Sequence, residues 1–121
     1  MISLNAAKVF FGSNHPLFKT MDIDIASIDN GKAEMTMPFS MQLSDHRGAL
    51  HRGALVTLLD TTSGLAIFSA LQTLQPIATI DLRIDYLRPG IGTHFDLSAE
   101  VLRLGSRVAS TRMEFRGPDG K

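Results

Sequence analysis

The chain contains no cysteine, which removes disulfides, thiolate metal sites and a cysteine nucleophile together and makes a secreted disulfide scaffold untenable. Net charge is also missing, because twelve Lys and Arg balance twelve Asp and Glu. Without an overall field, affinity for nucleic acid or an anionic membrane needs a local basic patch, and none stands out. The opening MISLNAAKVFFGSNHP has its only charge at Lys8. It has no sustained apolar core followed by a small-residue cleavage site, so it is a poor secretory signal and reads as a short helix. These absences favour a reducing cytoplasm, with no nucleic-acid or membrane partner.

Charge is scarcest between Arg52 and Asp81, where Asp60 is the one charged side chain. It stands in GALVTLLDTTSGLAIFSAL, Gly53 to Leu71, where Leu55, Leu58, Leu59, Leu65, Ile67, Phe68 and Leu71 surround nearly the whole circumference of a helix. That run is about long enough to cross a bilayer. Asp60 together with Thr57, Thr61, Thr62, Ser63 and Ser69 makes it too polar to do so. It is a buried helix that something wraps, and a lone carboxylate there is costly unless it is paired, hydrogen-bonded or used.

A length of 121 residues makes one domain, 1–121, able to bury roughly two-thirds of its unfolded surface. Period-two alternation marks strands at MDIDIASI and KAEMTMPF, joined by Asp29-Asn30-Gly31 as a hairpin. It marks a long third strand at IATIDLRIDYL, ended by Arg88-Pro89-Gly90, then THFDLSAEVLRL and RVASTRMEFR around Gly105. The expectation is an α+β fold in which five antiparallel strands wrap one central helix. Gly117-Pro118-Asp119-Gly120 is good turn chemistry. Either a final strand is missing after Lys121, or the fifth strand stays an open edge. The tandem pentapeptide His46-Arg-Gly-Ala-Leu50 and His51-Arg-Gly-Ala-Leu55 is too short for a solenoid repeat.

Asp45-His-Arg-Gly-Ala-Leu-His51-Arg-Gly53, then Asp60 nine residues after His51, then Thr79-Ile-Asp-Leu-Arg-Ile-Asp-Tyr-Leu-Arg-Pro89, resembles the hotdog-fold acyl-CoA thioesterases of the phenylacetate-pathway (PaaI-like) type. That family's pattern is Asn, six residues later His-Gly-Gly, nine residues after that His an Asp or Glu in the central helix, and a strand ending Tyr-Leu-Arg-Pro. The resemblance implies a hotdog fold, a homodimer or homotetramer, and hydrolysis of acyl-CoA or aroyl-CoA to free acid and CoA. It implies no metal and no cofactor, coenzyme A entering only as part of the substrate. Two positions depart from the pattern: Asp45 replaces the Asn, and Arg52 replaces the first Gly of His-Gly-Gly. A carboxylate at position 45 close to Asp60 would favour a shared proton and raise one of the two pKa values. The family uses the backbone amide at the Arg52 position, which a side-chain change leaves in place.

Thioester attack builds negative charge on the carbonyl oxygen, so a hydrolase needs donors aimed there and a carboxylate beside the carbon. Free amides at the start of the helix, around Arg52 and Gly53, are candidate donors. Asp60 is the candidate nucleophile or general base. At roughly 1.5 Å per residue, Asp60 lies on the order of 11 Å from its own helix N-terminus. A site using both groups therefore takes the amides from a second copy of the chain. His51 is a candidate for polarising the loop, binding substrate or capping the helix; His15, His46 and His94 read as surface or loop residues, without metal-ligand spacing. Thr61, Ser63 and Gly64 are candidates for substrate contact or for close packing. Thr79 matches a family position whose hydroxyl assists water, although alternation puts it on the face of Asp81 and Arg83, away from the helix. Arg88, with Arg52, Arg103 and Arg107, could meet coenzyme A phosphates. A non-catalytic acyl-CoA-binding module stays open as an alternative, as does an enoyl-CoA hydratase using Asp45 with His51 or Asp60 with a partner His51.

Overall fold

The computed structural model describes residues 4–8, 16–71 and 77–118. Residues 4–8 are helical. The elements that follow are α1 (Pro16–Met21), β1 (Asp24–Asp29), β2 (Lys32–Pro38), a 3-10 turn (Met41–Leu43), α2 (Arg52–Leu71), β3 (His94–Leu104) and β4 (Ala109–Arg116). The four strands form one antiparallel sheet in the order β1-β2-β3-β4, and α2 lies against all of them.

The β1–β2 hairpin closes as its residues require. Asn30 (φ 37°) and Gly31 (φ 92°) both take positive φ, the conformation of a two-residue turn between Asp29 and Lys32. The Gly31 amide then donates to Ser69 Oγ of α2 at 2.8 Å, and Ser69 donates to the Ala66 carbonyl at 2.7 Å. A buried orphan donor is thus satisfied, and the hairpin tip is pinned to the helix.

Alternation places Ala33, Met35 and Met37 of β2 opposite Ala99, Leu97 and Phe95 of β3. All six are buried against α2. Phe95 stacks on Phe115 of β4 with ring centroids 5.0 Å apart and meets Phe39 edge-on. On α2, Leu55, Leu58, Leu59, Thr62, Leu65, Ala66 and Ser69 form the buried stripe, spaced three and four apart. None of residues 54–71 is fully exposed, as the apolar circumference requires.

Two expectations are corrected. Met21 ends α1 instead of joining β1, and a bulge between Ile25 and Ser27 moves the inward position to Ile28. The third strand does not form: residues 77–91 belong to no ladder, so among the described residues the sheet has four strands where five were expected. Period two survives in part, with Leu82 and Ile84 half-buried between exposed neighbours, but Ile80 is 80% exposed. A strand is defined by its partner, and this segment has none beside it among the described residues. Of the other expectations, His15 and the turn residues Asp119 and Gly120 lie outside the described residues.

Candidate functional site

The loop entering α2 is built on Asp45. Its Oδ1 accepts the Arg47 and Ala49 amides at 2.8 and 3.1 Å, and its Oδ2 accepts Arg47 Nε and Nη2 at 3.1 and 2.9 Å. The Asp45 amide donates to the Ala49 carbonyl, and Gly48 (φ 76°) supplies the left-handed residue the turn needs. The Arg47 side chain, with these backbone amides, holds the Asp45 carboxyl down at about 2. Within the protomer this carboxylate is committed to its own loop, so Asp45 is not the raised member of a proton-sharing pair.

The loop then reaches the helix. The His51 amide donates to the Leu43 carbonyl and the Leu50 amide to the Gly90 carbonyl, both at 2.7 Å. His51 is the N-cap: its Nδ1 accepts the Gly53 amide at 2.9 Å, and its carbonyl accepts the Leu55 amide. This bond requires Nδ1 to be unprotonated. It also means that Gly53, one of the two candidate oxyanion amides, is already engaged. The Arg52 and Ala54 amides have no acceptor among the described residues, so the free donors are one residue to either side. Neither Asp45 nor His51 pairs with the other, as a hydratase built on those two would need. The Arg52 guanidinium lies over the Tyr86 ring, 5.0 Å from its centroid, a cation–π contact that fastens residues 77–91 to the helix start.

Asp60 sits two turns further along α2, half-buried. Its Oδ1 accepts the Thr79 hydroxyl at 2.7 Å. The placement of Thr79 away from the helix is thus overturned, because alternation constrains a side chain only within a strand and this segment is not one. The other candidates separate. Thr61 donates to the Thr57 carbonyl at 2.8 Å, and Ser63 shares a hydrogen bond with Thr111 of β4. Gly64 lies beside Ile77. Arg88 is exposed, with no carboxylate partner among the described residues. Tyr86, Thr111 and Arg47 were not singled out from sequence. Only Arg47, two residues from Asp45, left a local signal.

Comparison with known proteins bears on this arrangement. A family model described as the thioesterase superfamily matches residues 47–121, which include all of α2 and both Asp60 and Thr79. The chain belongs to this superfamily. The sheet wrapped on one long helix is its hotdog architecture. A structure from Shewanella oneidensis, related to the same superfamily, is 32% identical and covers 98% of this chain and 87% of its own, with a TM-score of 0.82. The medium/long-chain acyl-CoA thioesterase YigI of Salmonella typhimurium is 36% identical over 83 residues, 58% of this chain and 54% of YigI. The acyl-coenzyme A thioesterase PaaI of Escherichia coli is 35% identical over 96 residues, 78% of this chain and 66% of PaaI.

Proposed function

We propose that this thioesterase-superfamily chain hydrolyses thioesters of coenzyme A, adding water across the acyl–sulfur bond to release a carboxylic acid and the free thiol. The observation that carries the reading is the half-buried Asp60 carboxylate, set on the apolar central helix and held by Thr79 at 2.7 Å. One Asp60 oxygen is oriented by that hydroxyl, leaving the other to act. As general base it takes a proton from water while the hydroxide attacks the carbonyl carbon. As nucleophile it forms an acyl anhydride and expels the thiolate, and water then cleaves the anhydride. In both routes the carbonyl oxygen becomes an oxyanion, and the free amides of Arg52 and Ala54 at the positive end of α2 suit it.

Eight residues separate Arg52 from Asp60, about 12 Å along the helix. Those donors therefore come from the α2 of a second subunit, and the working unit is at least a homodimer with two equivalent sites. The medium/long-chain acyl-CoA activity named for YigI and the acyl-coenzyme A activity named for PaaI support an acyl-CoA as substrate. Metal and cofactor have no step to perform in this scheme. One observation favours the binding-module alternative: the Asp45 side chain is spent on its own loop and offers substrate nothing.

Thiol release from a panel of acyl-CoA and aroyl-CoA esters, followed with a thiol-reactive dye, tests the proposal. Turnover that disappears in Asp60→Asn supports hydrolysis; ligand binding without turnover in either protein establishes the module instead.

A further inference from the structure

Asp45 is the only carboxylate in the sequence between Glu34 and Asp60, and its two oxygens do different work. Oδ1 accepts the Arg47 and Ala49 amides, two bonds that an asparagine oxygen would accept equally well. What the carboxylate adds is charge on Oδ2, and two N–H groups of the Arg47 guanidinium converge on that oxygen, Nε at 3.1 Å and Nη2 at 2.9 Å. The pair is unevenly placed: the Asp45 side chain is 13% exposed and the Arg47 side chain 40%. Without Arg47, the charge would stay largely out of water, where an unpaired carboxylate is costly. Without Asp45, the guanidinium still reaches solvent on its flexible stem.

The loop is tied down around this pair. Ala49 and Leu50 are buried, the Leu50 amide is fixed to the Gly90 carbonyl and the His51 amide to the Leu43 carbonyl. Ala49, whose amide Asp45 holds, stands three residues before Arg52, so at most about 11 Å of chain lies between them. The Asp45 charge therefore sits close to the start of α2, where the free amides of Arg52 and Ala54 are the donors assigned to the oxyanion. An unpaired negative charge there would lower the positive potential that the helix end offers a developing oxyanion. It would also compete for the free amides, since a helix N-terminus attracts any carboxylate within reach.

We propose that Arg47 is a positioning residue of the hydrolysis, an inference that rests on the thioesterase reading above. By pairing the Asp45 carboxylate and holding it in its own loop, Arg47 keeps the start of α2 open to the substrate oxyanion. It touches no reacting atom and acts through Asp45. The need for it comes from the charge at position 45, so removing that charge removes the need.

The test compares the wild-type protein with Arg47→Gln, Asp45→Asn and the double variant Asp45→Asn/Arg47→Gln. Thiol release is measured on whichever ester of a panel from acetyl-CoA to palmitoyl-CoA and benzoyl-CoA the wild-type protein cleaves fastest, and amide exchange in β2 and β3 checks that each variant is folded. We expect Arg47→Gln to lower kcat about tenfold or more while KM stays within about twofold. Asp45→Asn should lose less, because the released guanidinium reaches water, and the double variant should regain most of what Arg47→Gln lost. A merely structural Arg47 would not be rescued by a second substitution that removes its partner. Three results overturn the proposal: an unchanged kcat in Arg47→Gln, a double variant no better than Arg47→Gln, or a loss in Asp45→Asn as large as in Arg47→Gln, which would put Asp45 itself on the substrate. If Arg47→Gln does not fold, the double variant decides, its activity upholding the proposal and its inactivity overturning it. No thiol release from the wild-type protein overturns the thioesterase reading and this proposal with it, whereas wild-type turnover that Arg47→Gln leaves unaltered overturns this proposal alone.

Discussion

Replacing Thr79 by valine removes one hydroxyl and leaves the side-chain shape nearly unchanged. That hydroxyl donates to Asp60 at 2.7 Å. A hydrogen bond to an ionised acceptor contributes about 1.5–3 kcal/mol, and because Thr79 is exposed the lower end applies. If the bond sets the angle at which Asp60 meets water or the thioester, losing about 1.5 kcal/mol from the transition state lowers kcat roughly tenfold. KM should be unchanged, since the hydroxyl orients a reacting group and is not asked to bind substrate. Thr79→Ser retains the donor and should restore most of the rate. The assay is thiol release under saturating acyl-CoA for the three proteins, with hydrogen exchange of residues 77–91 as a check that the segment stays in place. An unchanged kcat in Thr79→Val, or an equal loss in Thr79→Ser, would refute the idea that this hydrogen bond positions Asp60.

Further outcomes are expected elsewhere in the chain. Ser69→Ala strands the buried Gly31 amide, which costs about 1–3 kcal/mol; calorimetry should find a melting temperature several degrees lower. Leu58, fully buried on α2, should lose about 2–5 kcal/mol on change to alanine, read from the urea midpoint. Asp45 is held at about 2, below the ordinary carboxylate value of 3.8. Its contribution is therefore present above about pH 4 and lost as pH falls toward 2. Exchange at the Arg47 and Ala49 amides should rise across that window beyond the intrinsic trend, and Asp45→Ala should show fast exchange throughout. Sedimentation under assay conditions should find no active monomer, because an active monomer would defeat a site that takes its amides from a partner helix.

Much of the architecture was legible because period and polarity are local properties. The buried helix, the Asn-Gly hairpin and the inward faces of β2 and β3 follow from which residues recur at which spacing. So does the place of Asp60, a single charge on an apolar helix. What could not be read was pairing between distant residues. Thr79 meets Asp60 across 19 positions and Ser63 meets Thr111 across 48, and nothing in either local pattern points to the other. The Ile80–Tyr86 alternation is a sound strand pattern, yet it forms no strand, because a ladder needs a neighbouring backbone as well as a suitable face.

The repeated pentapeptide marks the boundary between the two kinds of information. Both copies read His-Arg-Gly-Ala-Leu. In the first, Arg47 is drawn to Asp45 and Gly48 turns at positive φ; in the second, His51 caps and Arg52 begins a 20-residue helix. By itself the sequence determined that a lone carboxylate would lie on a helix wrapped by an antiparallel sheet, since burial and period are written into residue type and spacing. Only the tertiary structure decided which hydroxyl that carboxylate meets, which amides stay free and which of two identical segments becomes helix. Those outcomes depend on what each segment packs against, and identical residues meet different neighbours.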